Sequence, residues 1–428
     1  MSAFRQLLGG NIRQFAMVIV LVVEMLLFHF LTGGTALTAQ NLQSVISGNA
    51  YVLILAMGMV LVIIAGHIDL SVGSVAAVVG IVLAKATSDT GLGMPWWVGI
   101  LVALCMGAVI GIWHGFWVAF VGVPAFVVTL AGMMLFRGMN QYIGKSVSIP
   151  VPNEVKYIGA GFMNWIPPIT VGNWVINSET IILAAVLAAG YVVLRLKARR
   201  RQSSLGMKVR PVNVFLIQMA VAVAIVGAGA WVFATGRPGT SFPIPGIIVI
   251  LLFFFYHFLS TKTPLGRGVY AVGGNRVAAG LTGISVKKIN FFVMFNSSIL
   301  AAIAAIVFVG RSTSSTPMDG VSWELDAIAS VFIGGASVWG GIGTVGGTII
   351  GALVMAFLNN GMFLMGMGSD VTQMIKGLVL LLAVAFDVIS KMQGRPSIIG
   401  TFLQARKRLG VDGAQTDAPK NEEKATQK

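Results

Sequence analysis

Twelve stretches of almost unbroken apolar residues, separated by short polar segments, dominate this chain. They fall at about 15–31, 46–66, 71–86, 96–121, 123–142, 180–196, 212–233, 244–259, 289–310, 326–339, 344–364 and 371–389. Runs without a recurring polar face predict helices that are apolar all round, either buried or facing lipid. Several are short and rich in glycine, and the pair around Asp69 reads equally well as one broken helix, so the pattern predicts ten to twelve crossings. The fold class expected is all-α, a polytopic helical membrane bundle.

The first run, FAMVIVLVVEMLLFHFL from Phe15 to Leu31, precedes ALTA at Ala36 to Ala39 and so resembles a signal segment. Its length, and the further spans directly after it, predict a retained helix instead. The longest polar stretch between runs, 143–179, is rich in Pro, Gly, Asn and Trp and predicts a compact interfacial loop with aromatic anchors. From Gly410 to Lys428 almost nothing is apolar, which predicts disorder.

Composition fits this picture: of 428 residues 56% are hydrophobic and 10% charged, and the mean hydropathy is +0.88. A soluble protein of this size needs far more polar surface. The net charge of +15 invites a nucleic-acid reading, but 22 of the 29 Lys and Arg fall in four segments. These are the first 14 residues, the stretch Arg195 to Arg210, the stretch Lys262 to Lys288, and the chain after Ser390. Each abuts an apolar run, the pattern of cytoplasmic loops. An even number of crossings starting inside agrees, so both termini and both basic loops are expected in the cytoplasm, with 143–179 outside and no nucleic-acid partner.

Candidate chemistry is sparse. Cys105 is the one cysteine, so neither a disulfide nor a cysteine metal cluster is expected, and His29, His67, His114 and His257 lack ligand spacing. The string GKS at Gly144 to Ser146 lacks the first glycine of a phosphate loop, since position 139 is Met139. GIGTVG at Gly341 to Gly346 matches a dinucleotide fingerprint, but lacks its soluble strand and following acid. The glycines read better as helix contacts. Gly107, Gly111 and Gly115 recur every four residues, as do Gly343, Gly347 and Gly351, each leaving a small-residue face.

Asp69 is sharper, because a carboxylate at bilayer depth costs roughly 2.5–3.5 kcal/mol on insertion scales. DLS just before an apolar run is a capping pattern, so Asp69 or Ser71 is expected to cap a helix starting near Val72 at a break in the membrane. A direct transport role is the second reading. In the polar loop Thr263 to Lys288, Asn275 can cap a short helix through Arg276, Val277, Ala278 and Ala279 that Gly283 would end. A helix that short does not fold alone, which suggests a docking surface for another subunit. Gly274, Ala278, Ala279 and Gly280 would permit close approach and Leu281 would anchor it.

Taken together, GHIDLSVGS (Gly66 to Ser74), VPAFVVTLAGMMLFRG (Val123 to Gly138), GRGVYAVGGNRVAAGLTGI (Gly266 to Ile284), ELDAIASVFIGGASVWGGIGTVGGTIIGA (Glu324 to Ala352) and KGLVLLLAV (Lys376 to Val384) resemble the monosaccharide permeases of ABC importers. The resemblance spans about 15–390 in order and is strongest to xylose-type and multiple-monosaccharide permeases, marked by an added central segment, here about 181–245, that ribose-type relatives lack. It implies two permease copies forming the path, two cytoplasmic ATPase domains and a periplasmic sugar-binding protein. It also implies that the loop containing 270–284 carries the helix coupling the permease to its ATPase. Arg276 stands where relatives often carry Glu, and His67 where a small or acidic residue is often seen.

These readings together predict a cytoplasmic N-terminus (1–14), a transmembrane permease domain (15–390) with a coupling loop at 260–288, and a partly disordered cytoplasmic tail (391–428). The function expected is ATP-driven import of a monosaccharide such as xylose or a related pentose or hexose across a bacterial inner membrane. The chain itself is expected to be no enzyme and to hold no cofactor, ATP being used by the partner. The alternatives are an ion-coupled transporter using Asp69 and Glu24, and a membrane-embedded enzyme. Sequence leaves the sugar open.

Overall fold

The computed structural model describes residues 12–392 apart from 173, 208, 210, 237 and 238. Calls on residues 1–11 and on the tail after 392 lie outside the described residues. Residues up to Val384 form one compact unit; of the second, beginning at Ala385, the described part is the last turns of its helix.

Fifteen α-helices carry the described chain. They are α1 (Ile12–Leu31), α2 (Ala39–Ile64), α3 (Val72–Thr87), α4 (Trp96–Phe116, continued by a π-turn, Trp117–Val121), α5 (Ala125–Gly144), α6 (Asn153–Ala160), α7 (Ser178–Ser204), α8 (Val212–Thr235), α9 (Ile244–Lys262), α10 (Pro264–Gly274), α11 (Arg276–Leu281), α12 (Val286–Ser312), α13 (Trp323–Ile333), α14 (Val345–Leu364) and α15 (Ser369–Met392). Every apolar run falls on a helix, and eight of the described helices are both long and apolar enough to cross a membrane unaided. The polytopic helical bundle is therefore the fold.

Local sequence sets the boundaries. Pro95, Pro124, Pro211 and Pro243 stand immediately before α4, α5, α8 and α9, where a missing N–H costs nothing. Side chains of Thr38, Asn177 and Thr344 accept first-turn N–H bonds of α2, α7 and α14. The run at 326–339 departs from a span: α13 is 11 residues, about 16 Å and half a hydrocarbon core. Gly334 and Gly335, the latter at φ 89°, end it, and an irregular stretch leads to α14.

At the centre, α2 and α12 are buried along most of their length, and α12 touches α2, α3, α4 and α6. The stripe on α4 is a packing face, as its spacing suggested; of the second stripe only Gly347 and Gly351 lie on α14, Gly343 falling in the irregular stretch before it. A Cβ on Gly107 would lie 2.6 Å from Ala302 Cβ, and one on Gly111 2.9 Å from Phe295 O, so α4 rides directly on α12. Gly347 and Gly351 likewise meet the backbone of Gly334 and Ser330, seating α14 on α13.

The polar stretch 143–179 is folded. Strand β1 (Ile149–Pro150) pairs antiparallel with β4 (Ser314–Ser315), β2 (Ile169–Val171) pairs with β3 (Trp174–Ile176), and α6 packs on α12. Trp165 and Trp174 are exposed. At the opposite end of the bundle lie the basic last turns of α7, with Lys197 and Arg201 sharing a cavity with Lys262, and the α10–α11 pair.

Candidate functional site

Two polar assemblies stand out, one inside the bundle and one at its basic end. The inner one starts where the chain leaves α2 at Ile64 and enters α3 at Val72. Asp69, 1% exposed, accepts bonds at Oδ1 from the Ser71 N–H (2.9 Å) and the Ser71 hydroxyl (2.6 Å). Its Oδ2 accepts from the Ser297 hydroxyl of α12 at 2.7 Å. The one hydroxyl proton of Ser71 goes to Asp69, so Ser71 Oγ accepts from His114 Nε2–H of α4 at 3.2 Å. His114 Nδ1 lies 3.3 Å from the Ser298 hydroxyl, which also lies 3.4 Å from Met294 O one turn earlier on α12. A buried chain of hydrogen bonds thus ties the start of α3 to α4 and α12, and each member that needs a partner has one.

This corrects the simple capping role. Ser71 occupies the N-cap position of α3 but its side chain bonds no helix N–H. Asp69 reaches only the N–H of Ser71, because its other oxygen is held by Ser297. Both residues still stabilise the break, through an Asx-type turn and a tertiary bond rather than a cap.

At the basic end, α10 and α11 form a bent pair. Asn275 Oδ1 accepts the Ala278 N–H at 2.9 Å to start α11, and Gly283, at φ 84°, follows its end. Val277 and Leu281 are 73% and 85% exposed, and nothing lies within 4 Å of the Cβ positions of Gly274 and Gly280. Ala278 is exposed as well. Ala279 is the exception: at 4% exposed it belongs to the chain's own core, so it supports α11 from beneath and presents no surface to a partner.

Behind α11 three segments meet with no space between them. A Cβ on Gly273 would fall 1.6 Å from Ile64 O, and the Gly341 N–H donates to that same carbonyl at 2.8 Å. Gly340 and Gly341 take φ 78° and 70° to make the approach. Tyr270 O–H adds a bond to Gly343 O at 2.8 Å, and burial pushes that phenol up from its usual range. GIGTVG is thus a backbone contact, not a nucleotide site.

Beside α11 opens a cavity of ≈ 590 Å³ lined in part by Gly66, His67, Pro124, Phe126, Asn275 and Arg276. His67 Nε2 lies 3.1 Å from Asn290 Oδ1 and 3.3 Å from Arg276 Nη2. Burial lowers the pKa of His67, the bond to Asn290 opposes this, and the Arg276 charge adds to the lowering. The sequence offered Arg276 as a residue of the short coupling helix and His67 as a departure from relatives; their meeting across 209 positions had no local signal. His114 and Asn290 were missed for the same reason. Among the described residues no cluster of His, Cys, Asp or Glu could hold a metal ion.

Residues 41–384 match the family described as branched-chain amino acid transport system / permease component, and the chain belongs to that family of membrane permeases. Among its relatives it is 36% identical over 392 residues to the xylose transport system permease protein XylH of Escherichia coli, covering 91% of this chain and 95% of that one. The XylH protein of Haemophilus influenzae is 36% identical over 382 residues, covering 89% and 97%. The ribose import permease protein RbsC of Escherichia coli is 33% identical over 350 residues, covering 82% and 86%. No solved structure matches the chain. These relatives are transport permeases, which turns against both the ion-coupled and the enzyme readings.

Proposed function

We propose that this chain is the membrane-spanning permease subunit of an ABC-type importer that carries xylose, or a closely related pentose or hexose, from the periplasm to the cytoplasm of a bacterial cell. The observation that carries the reading is the similarity to the xylose permeases over nine-tenths of both chains. Two copies enclose the path, a periplasmic binding protein delivers the sugar, and a cytoplasmic ATPase supplies the energy, so the permease needs no cofactor of its own. Both termini and the basic end lie in the cytoplasm, an assignment supported by the clustering of Lys and Arg.

In this reading α11 docks on the ATPase through Val277 and Leu281, with Gly274, Asn275, Ala278 and Gly280 giving room for a close contact and Arg276 at its edge. Such exposed apolar side chains stabilise an interface by roughly 1.5–3 kcal/mol each when fully covered.

The test is uptake of labelled xylose by cells carrying the importer, with ATP depleted and the proton gradient intact. Uptake should stop; continued uptake overturns the ABC reading. Leu281→Glu should abolish sugar-stimulated ATP hydrolysis in the purified complex at normal permease yield. Full hydrolysis in that variant removes α11 from the ATPase contact. Reporter fusions at Gln202 and Asn275 should read cytoplasm and one at Asn153 the outer face; the reverse sinks the orientation.

A further inference from the structure

The basic stretch at the end of α7 has no part in the proposed coupling, yet its side chains are sorted by face. Arg195 and Arg199, four residues apart, turn to α8: Arg195 Nη2 lies 3.4 Å from Gln218 Oε1, and the Arg199 guanidinium stands 4.8 Å from the centre of the Phe215 ring. Lys197 and Arg201 are also four apart but offset by two, which puts them on another face of the helix. There they line a cavity of ≈ 460 Å³ with Leu205 and Met207, and Lys262, at the end of α9, lines it too. Three cations from two helices thus converge on one hollow. No carboxylate answers them: the sequence has no Asp or Glu from Thr180 to Met318, and among the described residues none of the three forms an ion pair.

What lies below the cations identifies the chemistry of their partner. Leu194 stands three residues before Lys197 and seven before Arg201, and Phe255 and Phe258 stand seven and four before Lys262. Each cation therefore tops an apolar strip on its own helix. Leu194, Phe255 and Phe258 are 64%, 56% and 59% exposed, and the apolar window of α7 buries none of its residues. In a bilayer such strips are covered by acyl chains. A ligand that meets strips and cations together carries a negative group at one end and hydrocarbon at the other. A soluble acidic partner meets the cations alone.

We propose that the cavity between the ends of α7 and α9 is a site for the phosphate of an anionic phospholipid such as phosphatidylglycerol, with its acyl chains along Leu194 and Phe258. The phosphate relieves the mutual repulsion of Lys197, Arg201 and Lys262, and by accepting charge-assisted bonds from both helices it ties them together. This tie complements one made by polypeptide at the opposite end of the α7–α8 hairpin. There Glu179 Oε1 accepts the N–H groups of Trp165 and Ile166, and Thr180 Oγ1 accepts the Phe242 N–H at 3.0 Å. The lipid fastens the basic end of the hairpin to α9, whatever the cargo of the permease.

The test titrates phosphatidylglycerol or phosphatidylcholine into the full-length permease purified in detergent and counts bound lipid by native mass spectrometry. The combined variant Lys197→Gln, Arg201→Gln, Lys262→Gln is compared with Arg267→Gln, Lys287→Gln, Lys288→Gln, which removes as many cations from outside the cavity. All six side chains are exposed, so both variants should accumulate normally. Phosphatidylglycerol should bind the cavity variant at least about tenfold more weakly than the parent and the control variant within about twofold of it, while phosphatidylcholine should bind all three alike. Equal weakening in both variants means diffuse attraction to a basic surface and overturns the site, as does weakening in neither. Inorganic phosphate at constant ionic strength should not displace the lipid; displacement assigns the cavity to a small free anion and overturns the lipid. A cavity variant that binds phosphatidylglycerol normally but no longer retains the ATPase makes the hollow a protein contact, and overturns the proposal equally.

Discussion

Helices α12 and α7 are each 27 residues long and both are apolar enough to span a bilayer, yet α12 is 72% buried across its span and α7 not at all. Length and hydropathy therefore do not separate the heart of this protein from its rim. The difference lies in what their neighbours present. On α4 the glycines at 107, 111 and 115 share a face and meet α12, whereas Gly227 and Gly229 on α8, the partner of α7, are two residues apart and meet open space. Spacing by four puts small residues on one face; spacing by two does not. The α7–α8 pair is also pinched at its base, where the Asn177 N–H donates to Ala234 O at 2.9 Å. It is a hairpin attached to a bundle.

The strongest challenge to this contrast is to place the same bulk at both sites. Gly107→Leu drives a side chain into Ala302 and should cost about 3 kcal/mol or more, enough to remove most folded protein from a detergent size-exclusion profile. Gly227→Leu should leave the profile unchanged; equal losses would mean α8 is buried in the assembly. Next in size is the tether of α12. Asp69→Leu strips the acceptor from three buried donors, each costing about 1–3 kcal/mol, and should sharply lower yield. Asp69→Asn keeps an acceptor and should transport; loss of uptake at normal yield would give the charge a direct role.

A milder change removes the rim outright. Replacing 181–233 by a short flexible linker joins ends already held together at Asn177 and Ala234, so the remainder should insert and fold with a modest loss of yield by the same profile. Failure to accumulate would show the hairpin to be part of the core. The smallest effect concerns His67. Its pKa is lowered in the folded chain, so the unfolded state binds the proton more readily. Stability should hold above the usual histidine range and decline as pH falls through roughly 6.5 and below. His67→Asn should flatten that decline in a thermal melt across pH.

The bundle was legible in the sequence because apolar runs, prolines and caps are local signals. The truncation of α13 was partly visible in Gly334 and Gly335, but apolar residues continue past them and extended the expected span. Asp69 announced itself by its cost, though not its partners: Ser297 stands 228 positions away. Ala279 was misread because one turn of helix does not reveal which side faces home.

The contact between Gly273, Ile64 and Gly341 has a mechanical meaning. In a linkage with free play, the first part of any stroke is lost in taking up slack. Here the Ile64 carbonyl is bonded on one side and met by bare backbone on the other, with less than a methyl group of clearance. A push on α11 of even a fraction of an ångström would reach the end of α2 and the chain leading into α14 together, without backlash.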